Sequence, residues 1–574
     1  MSVRLRLGNS NAALDDAFDP LVARVLAHRG ISDPGQVNYQ LKHLLPYHQL
    51  KGIGDAVALL VQALENQHHI VIVGDFDCDG ATSTSLAMLA LGDMGAKNVS
   101  YLVPNRFDFG YGLSTALVDY AQASEPDLIV TVDNGIASHE GVKRAHELGI
   151  KVLVTDHHLA ADTLPEADAI VNPNQPGCDF PFKSTAGVGV IFYVMSAVRR
   201  QLQTQAWFEQ QQISPPNMAQ YLDLVALGTV ADLVPLEHNN RILVAQGVAR
   251  IRAGKARPGL LALLNIAKRE YHNLQASDLG FSVGPRLNAA GRLDDMSLGI
   301  ECLLSDNEQI AAQLAQELDE LNAQRRNIEA DMQQQAANIL TRLEASQDKE
   351  IPRCVCLYHP DWHQGVVGIV ASRIKEKWHR PALVFAKGDG DTLKGSCRSI
   401  AGFHLRDALA AVDAQNPGLI IKFGGHAMAA GLSIQAEHFE AFETALNAHA
   451  TQYLPDSLLA QEWRSDGELS AQQLQLNQAF VLQQAGPWGQ GFEEPTFHGR
   501  FLLVQQRIVG EKHLKLVLAH SQTSELVDAI YFNIDITIWP TKAEQADLVY
   551  RLDINEFRGR QSLQLMVQHM TPVL

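Results

Sequence analysis

The feature that most narrows the fold is a series of short, wholly apolar runs that end in charge. Between residues 70 and 174 the chain carries 70-IVIVGDFD, 99-VSYLVPN, 128-LIVTVDNG, 152-VLVTDHH and 169-AIVNPN, with stretches rich in Ala, Leu, Glu and Lys between most of them. A strand that is apolar on both sides must be covered on both sides. Such runs alternating with helices therefore predict a parallel sheet between helical layers. Three of the runs lead straight into acids or histidines: Asp75, Asp77 and Asp79; Asp133; and Asp156, His157 and His158. In open parallel sheets, sites form at the carboxyl edge of the strands. Groups about 80 residues apart in sequence are thus expected to meet there.

At 574 residues the chain is too long for one core, and three or so domains are expected. Residues 15–68 read as helices and loops that buttress the sheet. Residues 185–270 read as mainly helical, with 220-QYLDLVALGTVADLVPL ending in another acid, Asp232. The segment 281-FSVGPRLNAAGR, rich in Gly, Pro and Arg, is expected to be irregular. From about 306 to 345, Ile310, Leu314, Leu318, Leu321, Ile328, Met332, Ala336, Ile339 and Leu343 recur at helical spacing without Gly or Pro. About 35 residues at this spacing make a rod of roughly 50 Å. One apolar stripe on a polar surface suits a helix lying between two domains, with a coiled-coil dimer as the alternative. A second α/β block follows over about 350–455. The remainder shows strand-like 499-GRFLLVQQRIV, 512-KHLKLVLA, 548-LVYRLDINEF and 563-LQLMVQ, a pattern that suits a small barrel.

Hydrophobic residues make up 46% and charged residues 19%, as in ordinary soluble proteins. No run approaches the roughly 20 apolar residues of a membrane span, and the opening MSVRLRLGNSNAALDD lacks the apolar centre of a secretory signal. A cytoplasmic protein without membrane contact is expected. Six scattered cysteines suit a reducing compartment, and the Cys354–Cys356 pair has no second pair at zinc-ribbon spacing. The net charge of −18 argues against indiscriminate coating of nucleic acid. Locally the balance reverses: residues 351–431 hold ten Lys/Arg against six Asp/Glu, a surplus of four positive charges.

In 74-GDFDCDG, three carboxylates at alternate positions follow a strand, and crowding them is costly without a cation. A calcium loop begins similarly but needs Glu at its twelfth position, where this chain has Leu86. An N-cap role for Asp79 would leave Asp75 and Asp77 unexplained. Adding Asp133, the 156-DHH triplet and Asp232 gives a mixed carboxylate and imidazole set that suits Mn2+, with Mg2+ as a substitute. The inventory suffices for two ions, an arrangement that hydrolyses phosphoesters.

These residues sit within an ordered set of motifs: GDFDCDGATST, LVPNRF with GYGLS, TVDNG, VTDHH, AGVGV, LGTVADLVPL, GPRLNAAGRLDD, WHQGVVGIVASR, GSCRSI and FGGHAMAAG. Over essentially its whole length the chain resembles the DHH family of phosphoesterases, and within it the bacterial exonucleases of single-stranded DNA. The resemblance implies an α/β fold with four parts. These are N-terminal helices plus a parallel-sheet DHH domain (1–304), a long connecting helix (305–347), a DHHA1-like substrate-binding domain (348–456) and an OB-like β-barrel (457–574). It implies Asp77, Asp79, Asp133, His157 and Asp232 as metal ligands, with Asp133 bridging. Asp75 stands where related pyrophosphatases place a ligand histidine. His158 is expected beside the scissile phosphate, with Asp156 orienting a histidine. Arg286 and Asn288 are candidates for holding phosphate near the metals. His363, Ser372, Arg373, Ser396, Arg398, Gly425 and His426 are candidates for a phosphate-binding wall in the second block. Lys512, Lys515, Asn555, Phe557 and Arg558 of the barrel are candidates for tracking a strand. Cys78, between two proposed ligands, is expected to point away if its segment is extended.

The expected activity is hydrolytic removal of nucleotides from single-stranded DNA, 5′ to 3′ by resemblance, in repair and recombination. A monomer is expected, with a single-stranded-DNA-binding protein and a helicase as partners by family resemblance. Two alternatives stand beside it: a relative acting on short RNA or cyclic dinucleotides, and a non-catalytic scaffold of the same fold.

Overall fold

The computed structural model describes residues 2–104, 111–345, 351–520, 525–534 and 539–573, with side chains omitted for 342–345. Part of LVPNRF and the first glycine of GYGLS, and the Leu343 side chain, lie outside the described residues. The chain divides into two compact units, one formed by residues 3–319 with 463–574 and the other by 320–462.

In the first unit the apolar runs become strands β1 (Ile70–Val73), β2 (Val99–Leu102), β3 (Leu128–Val132), β4 (Lys151–Thr155) and β5 (Ala169–Val171). They form one parallel sheet in the order β2-β1-β3-β4-β5. Every residue of β1 and β3 is buried, which is why these runs show no polar alternation. One face packs on Leu113, Leu117, Val118, Val142 and Ala145. At roughly 1.5–3 kcal/mol per buried aliphatic side chain, this sandwich is the main stabilising element of the region. Helices α2 (Cys78–Asp93), α3 (Gly187–Thr204) and α4 (Leu222–Ala231) are mostly buried and pack on one another.

The segment expected to be irregular is instead helical. Leu279–Val283 forms a π-helical turn and Gly284–Leu293 forms α5. Pro285 follows directly on the π turn, whose last bond runs from the Gly284 amide to Leu279 O, so the widened turn takes in the proline without breaking the helical path.

The N-terminal helix α1 (Pro20–His28) is tied to the segment entering the barrel through Asp466. This buried carboxylate accepts a two-pronged bond from Arg29 (2.6 and 3.0 Å) and lies 3.0 Å from His28 Nδ1. The C-terminal barrel closes from strands β11 (Phe497–Val509), β12 (His513–His520), β13 (Leu526–Tyr531), β14 (Gln545–Phe557) and β15 (Arg560–Val573), in the order β11-β12-β13-β15-β14. The sequence pattern shows four of these. The fifth, β13, pairs antiparallel with β12 and parallel with β15.

Helix α6 (Glu308–Ala345) spans 38 residues. Its buried line differs from the apolar stripe. Ile310 is 49% exposed, and the buried positions are Ala311, Ala315, Leu318, Asn322, Arg325, Glu329, Met332, Ala336 and Leu340. The middle of that line is polar because Arg325 donates to both Glu329 and Asn322. An apolar count cannot see a buried group satisfied by another charge.

The second unit carries β6 (Val355–Tyr358), α7 (Val367–Trp378), β7 (Ala382–Lys387), β8 (Thr392–Arg398), β9 (Lys422–Gly425) and β10 (Ala429–Gln435). Its sheet runs β9-β10-β8-β7-β6, with only β6 and β7 parallel. Cys354, Cys356 and Cys397 pack in its core with Phe385, Phe442 and Leu446, and all six cysteines of the chain are free and buried.

Asp466 supplies a test. Burial alone would raise its pKa, but the hydrogen bond and charge of Arg29 outweigh that, and the net shift is downward. A depressed folded pKa contributes stability above the unfolded value of about 3.9, and that contribution is lost as pH falls through the folded value. Asp466→Asn should cost on the order of 3–5 kcal/mol near pH 7, because it removes the carboxylate charge that faces a buried guanidinium. In urea unfolding series, the gap between wild type and variant should close below about pH 3.9.

Candidate metal centre

Strands β1, β3 and β4 are neighbours, and their registers align Val73 with Thr131 and Thr131 with Val154. Their carboxyl ends are therefore level, and the acids that follow them arrive at one place. Asp77 caps α2, accepting from the Gly80 amide at 3.0 Å. Asp79, in the first turn of α2, turns to another helix: its two oxygens accept from the Gly187 and Val188 amides (2.6 and 3.0 Å) at the start of α3. Asp133 sits in the left-handed region at φ +62°, which Asp tolerates better than most residues. The turn after it is pinned by Thr131 Oγ1 donating to Asn134 O (2.7 Å) and Asn134 Nδ2 donating to Val73 O (3.0 Å). Asp232 is the first residue beyond α4, its amide still bonded to Gly228 O.

Three sets of ligand atoms lie within 4.8 Å of one another: Asp75, Asp77 and Asp133; Asp79, His157 and Asp232; and Asp133, His157 and His158. Nε2 of His157 lies 3.1 Å from Asp133 Oδ1 and 3.5 Å from Asp232 Oδ2. Neither that nitrogen nor Asp133 Oδ1 has a hydrogen-bond partner, although both are buried. Burial, reinforced by the surrounding carboxylates, pushes Asp133 and Asp232 well above the usual carboxylate range, and Asp79 to about 7. Burial also lowers His157 to about 4, leaving a neutral imidazole. Crowded anions, a neutral imidazole and two buried lone-pair atoms without partners fit a cation site of mixed oxygen and nitrogen ligands.

Asp156 stands behind this cluster. Its Oδ1 accepts from the amides of His157 and His158 (2.7 and 3.0 Å) and from His158 Nδ1 (2.7 Å), while Oδ2 accepts from the Ile136 amide. Burial would lower the His158 pKa, but Asp156 outweighs it and lifts the ring to about 9. The NPN run holds the histidine backbone from the other side: Asn172 and Asn174 donate to the carbonyls of His158 and His157. These asparagines, Asn134 and Tyr111, whose hydroxyl lies 3.2 Å from His158 Nδ1, carry no charge pattern that would single them out in the sequence.

Two glycines set the spacing. A Cβ at Gly187 would stand 2.7 Å from Asp133 Oδ1, and one at Gly228 would stand 2.7 Å from Asp79 Oδ1. Cys78 begins α2 rather than continuing an extended segment, so its expected alternation does not apply. Its thiol is buried and its pKa is pushed up by that burial.

Asn288 reaches the centre's scaffold, its Oδ1 accepting from the Cys78 amide (2.7 Å). Arg286 donates to the Ser282 carbonyl and pairs with Asp319 (2.8 Å). Within the second unit, Arg398 donates to Ser396 Oγ (3.2 Å), and a Cβ at Gly368 would touch both side chains. Gly425, at φ +133°, opens the turn in which the His426 amide bonds to Ala429 O. The same sheet pairs Arg398 with Ala429. His363 caps its own turn, accepting from the Gly365 amide, and Ser372 bonds back to Gly368 O. Arg373 is directed to Glu329 of α6 and to Glu376. On the barrel, Phe557 is 66% exposed beneath Arg558, Lys512 is exposed, and Lys515 and Asn555 are half-buried.

Because a cation would relieve the crowding, Mn2+ at 100 times its Kd should stabilise the fold by about 2.7 kcal/mol, and a chelator should reverse this. Asp133→Asn should abolish the metal-dependent rise in Tm. Gly187→Ala should weaken binding by roughly 10–100-fold, as displaced ligand supports do. Equal melting with and without metal would contradict the assignment.

Models of known families match in three places: the DHH family N-terminal domain over residues 69–229, the DHHA1 domain over 352–452 and the RecJ OB domain over 465–569. The single-stranded-DNA-specific exonuclease RecJ of Salmonella typhimurium is 53% identical over 572 residues, covering 100% of this chain and 99% of that protein. Two crystal structures of RecJ from Thermus thermophilus are 29% identical. The one in complex with Mn2+ superposes with a TM-score of 0.80, covering 100% of this chain and 80% of that one. The one with Mg2+ gives 0.74, covering 100% and 79%. Identity at this level along the whole length, together with the DHH, DHHA1 and RecJ OB domain matches, means that the chain belongs to the RecJ family, within the DHH family.

Proposed function

We propose that this chain removes nucleotides hydrolytically from single-stranded DNA, 5′ to 3′, with two divalent cations, Mn2+ or Mg2+. The observation that carries the reading is the meeting of Asp133 Oδ1 and His157 Nε2, buried and without a hydrogen-bond donor, among four further carboxylates. Asp75, Asp77 and Asp133 would hold one ion, and Asp79, His157 and Asp232 the other, with Asp133 close enough to His157 to serve both. Such a pair supplies a nucleophile at neutral pH and neutralises charge on the departing oxygen.

The remaining work belongs to the protein's own groups. Asp156 fixes His158 through Nδ1, so the ring can present its other edge to a phosphate oxygen where charge develops. Asn288 steadies the amino end of α2, and the fork of Arg286, braced by Ser282 and Asp319, is suited to phosphate oxygens. In the second unit Ser396, Arg398, Gly425 and His426, with His363, Ser372 and Arg373, form the phosphate-binding wall of this reading. The exposed Phe557 and the cations Lys512, Lys515 and Arg558, with Asn555, offer the stacking and charge that a flexible strand needs. The barrel suits long polymers better than dinucleotides.

The same reading assigns a role in DNA repair and recombination, with a helicase and a single-stranded-DNA-binding protein as partners, and a monomer in the cytoplasm. No helix among the described residues is long and apolar enough to cross a membrane.

End-labelled oligonucleotides with Mn2+ test the activity. A 5′ label on a single strand should be released before a 3′ label, and blunt duplex should persist. Efficient digestion of blunt duplex, or an intact single strand, would overturn the assignment. Asp77→Ala and His157→Ala should abolish cleavage. His158→Ala should lower kcat on the order of 10²–10³-fold while leaving the Kd for single-stranded DNA near the wild-type value.

A further inference from the structure

Asp232 differs from the other acids in having no strand behind it. The residue after it, Leu233, is 62% exposed and lies at φ +60°, a costly conformation for a leucine. Such a backbone persists only where its surroundings over-determine it. The surroundings here are specific. Pro235 O accepts from Asn240 Nδ2 (2.9 Å) and Ser184 Oγ (3.3 Å), and Leu236 O accepts from Arg241 Nη1 (2.8 Å). The Leu236 amide donates to the carbonyl of Gln490 at 2.7 Å, more than 250 residues along the chain.

Gln490 lies in a tight turn, Gly489–Phe492, closed by reciprocal bonds between the Gly489 and Phe492 backbones (3.0 and 3.2 Å). The turn stands on the segment that leads into the barrel. Phe492 is buried, stacks on Trp488 at 4.9 Å and 15°, and lies under the Arg241 guanidinium at 4.2 Å. Arg241 thus grips the turn with its charged face and Leu236 O with an N–H. Gly489 carries the closest approach: a Cβ there would stand 2.6 Å from Leu236 Cδ1, and Leu236 is buried.

We propose that the Gly489–Phe492 turn is a positioning element for the metal ligand Asp232, acting through its backbone bond to Leu236 and its packing against that side chain. The proposal rests on the metal-centre reading above. It makes the segment before the barrel a support of the catalytic machinery, although the ligand it steadies belongs to a distant part of the chain. Gly489 and Leu236 are positioning residues, touching neither ion nor DNA.

The test is Mn2+ affinity of the full-length chain by titration calorimetry, with Tm followed in parallel. Gly489 has an ordinary backbone conformation, so Gly489→Ala adds only the methyl group that must displace Leu236. It should weaken Mn2+ binding about tenfold, the scale seen when supports of metal ligands are disturbed. In a Leu236→Ala background the same substitution should have no further effect, because the clash is gone. Unchanged affinity in folded Gly489→Ala, or the same drop in both backgrounds, would overturn the proposal. Should Gly489→Ala fail to fold, Phe492→Leu removes the ring under Arg241 while keeping an apolar filling; it should also weaken Mn2+ binding, and wild-type affinity would overturn the proposal. Asp232→Asn separates the two levels. If it binds Mn2+ as wild type does, the metal-centre reading falls and this proposal with it. If it loses binding while Gly489→Ala does not, only the positioning role falls.

Discussion

Holding like charges together away from water is the constraint that organises the catalytic region. Five of the acids, Asp75, Asp77, Asp79, Asp133 and Asp232, would drive one another apart in an open chain. The fold resists this with backbone donors: Gly80 for Asp77, and Gly187 and Val188 for Asp79. Asp79 does two jobs at once. By capping α3 it fixes the helix whose first glycine then lies against Asp133, so one carboxylate sets the position of the next. The donors do not neutralise the cluster. What they leave over is a set of lone pairs around Asp133 and His157 that fits a cation.

The parallel sheet makes this possible by separating two tasks. Hydrophobic burial of β1, β3 and β4 supplies the stability, while their carboxyl ends are free to carry groups that destabilise. Asp156 works at the junction. It gives up direct membership of the cluster and instead binds both histidine amides and one imidazole, which turns two flexible rings into fixed ones. Asp232, lacking a strand, receives its support from Asn240, Arg241 and a turn far along the chain.

Polar groups organise the second unit in a different way. Arg325, Glu329 and Asn322 occupy the buried line of α6, and Glu329 extends the network to Arg373 and Gln333. Buried charges are tolerated because each has a partner, and the Glu329–Arg373 bond ties the helix to α7. The network also orients Arg373, which donates to Glu329 and Glu376.

Much of the centre was legible in the residues alone. Apolar runs such as IVIV and LIVTV announce a doubly covered parallel sheet because burial on both faces leaves no polar alternation, and acids at their carboxyl ends announce a site because crevices form at that edge of a parallel sheet. The barrel and the long helix were equally visible from periodicity. What the residues could not reveal was every relation between distant polar groups. The polar line through Arg325 and Glu329, the grip of Asp79 on α3, and the reach from Gln490 to Leu236 all depend on partners that sequence spacing does not encode. The linear pattern determines which faces leave water, since hydrophobicity is a property of each residue by itself. Which donor meets which acceptor is a property of pairs, and only the folded chain brings the pairs together.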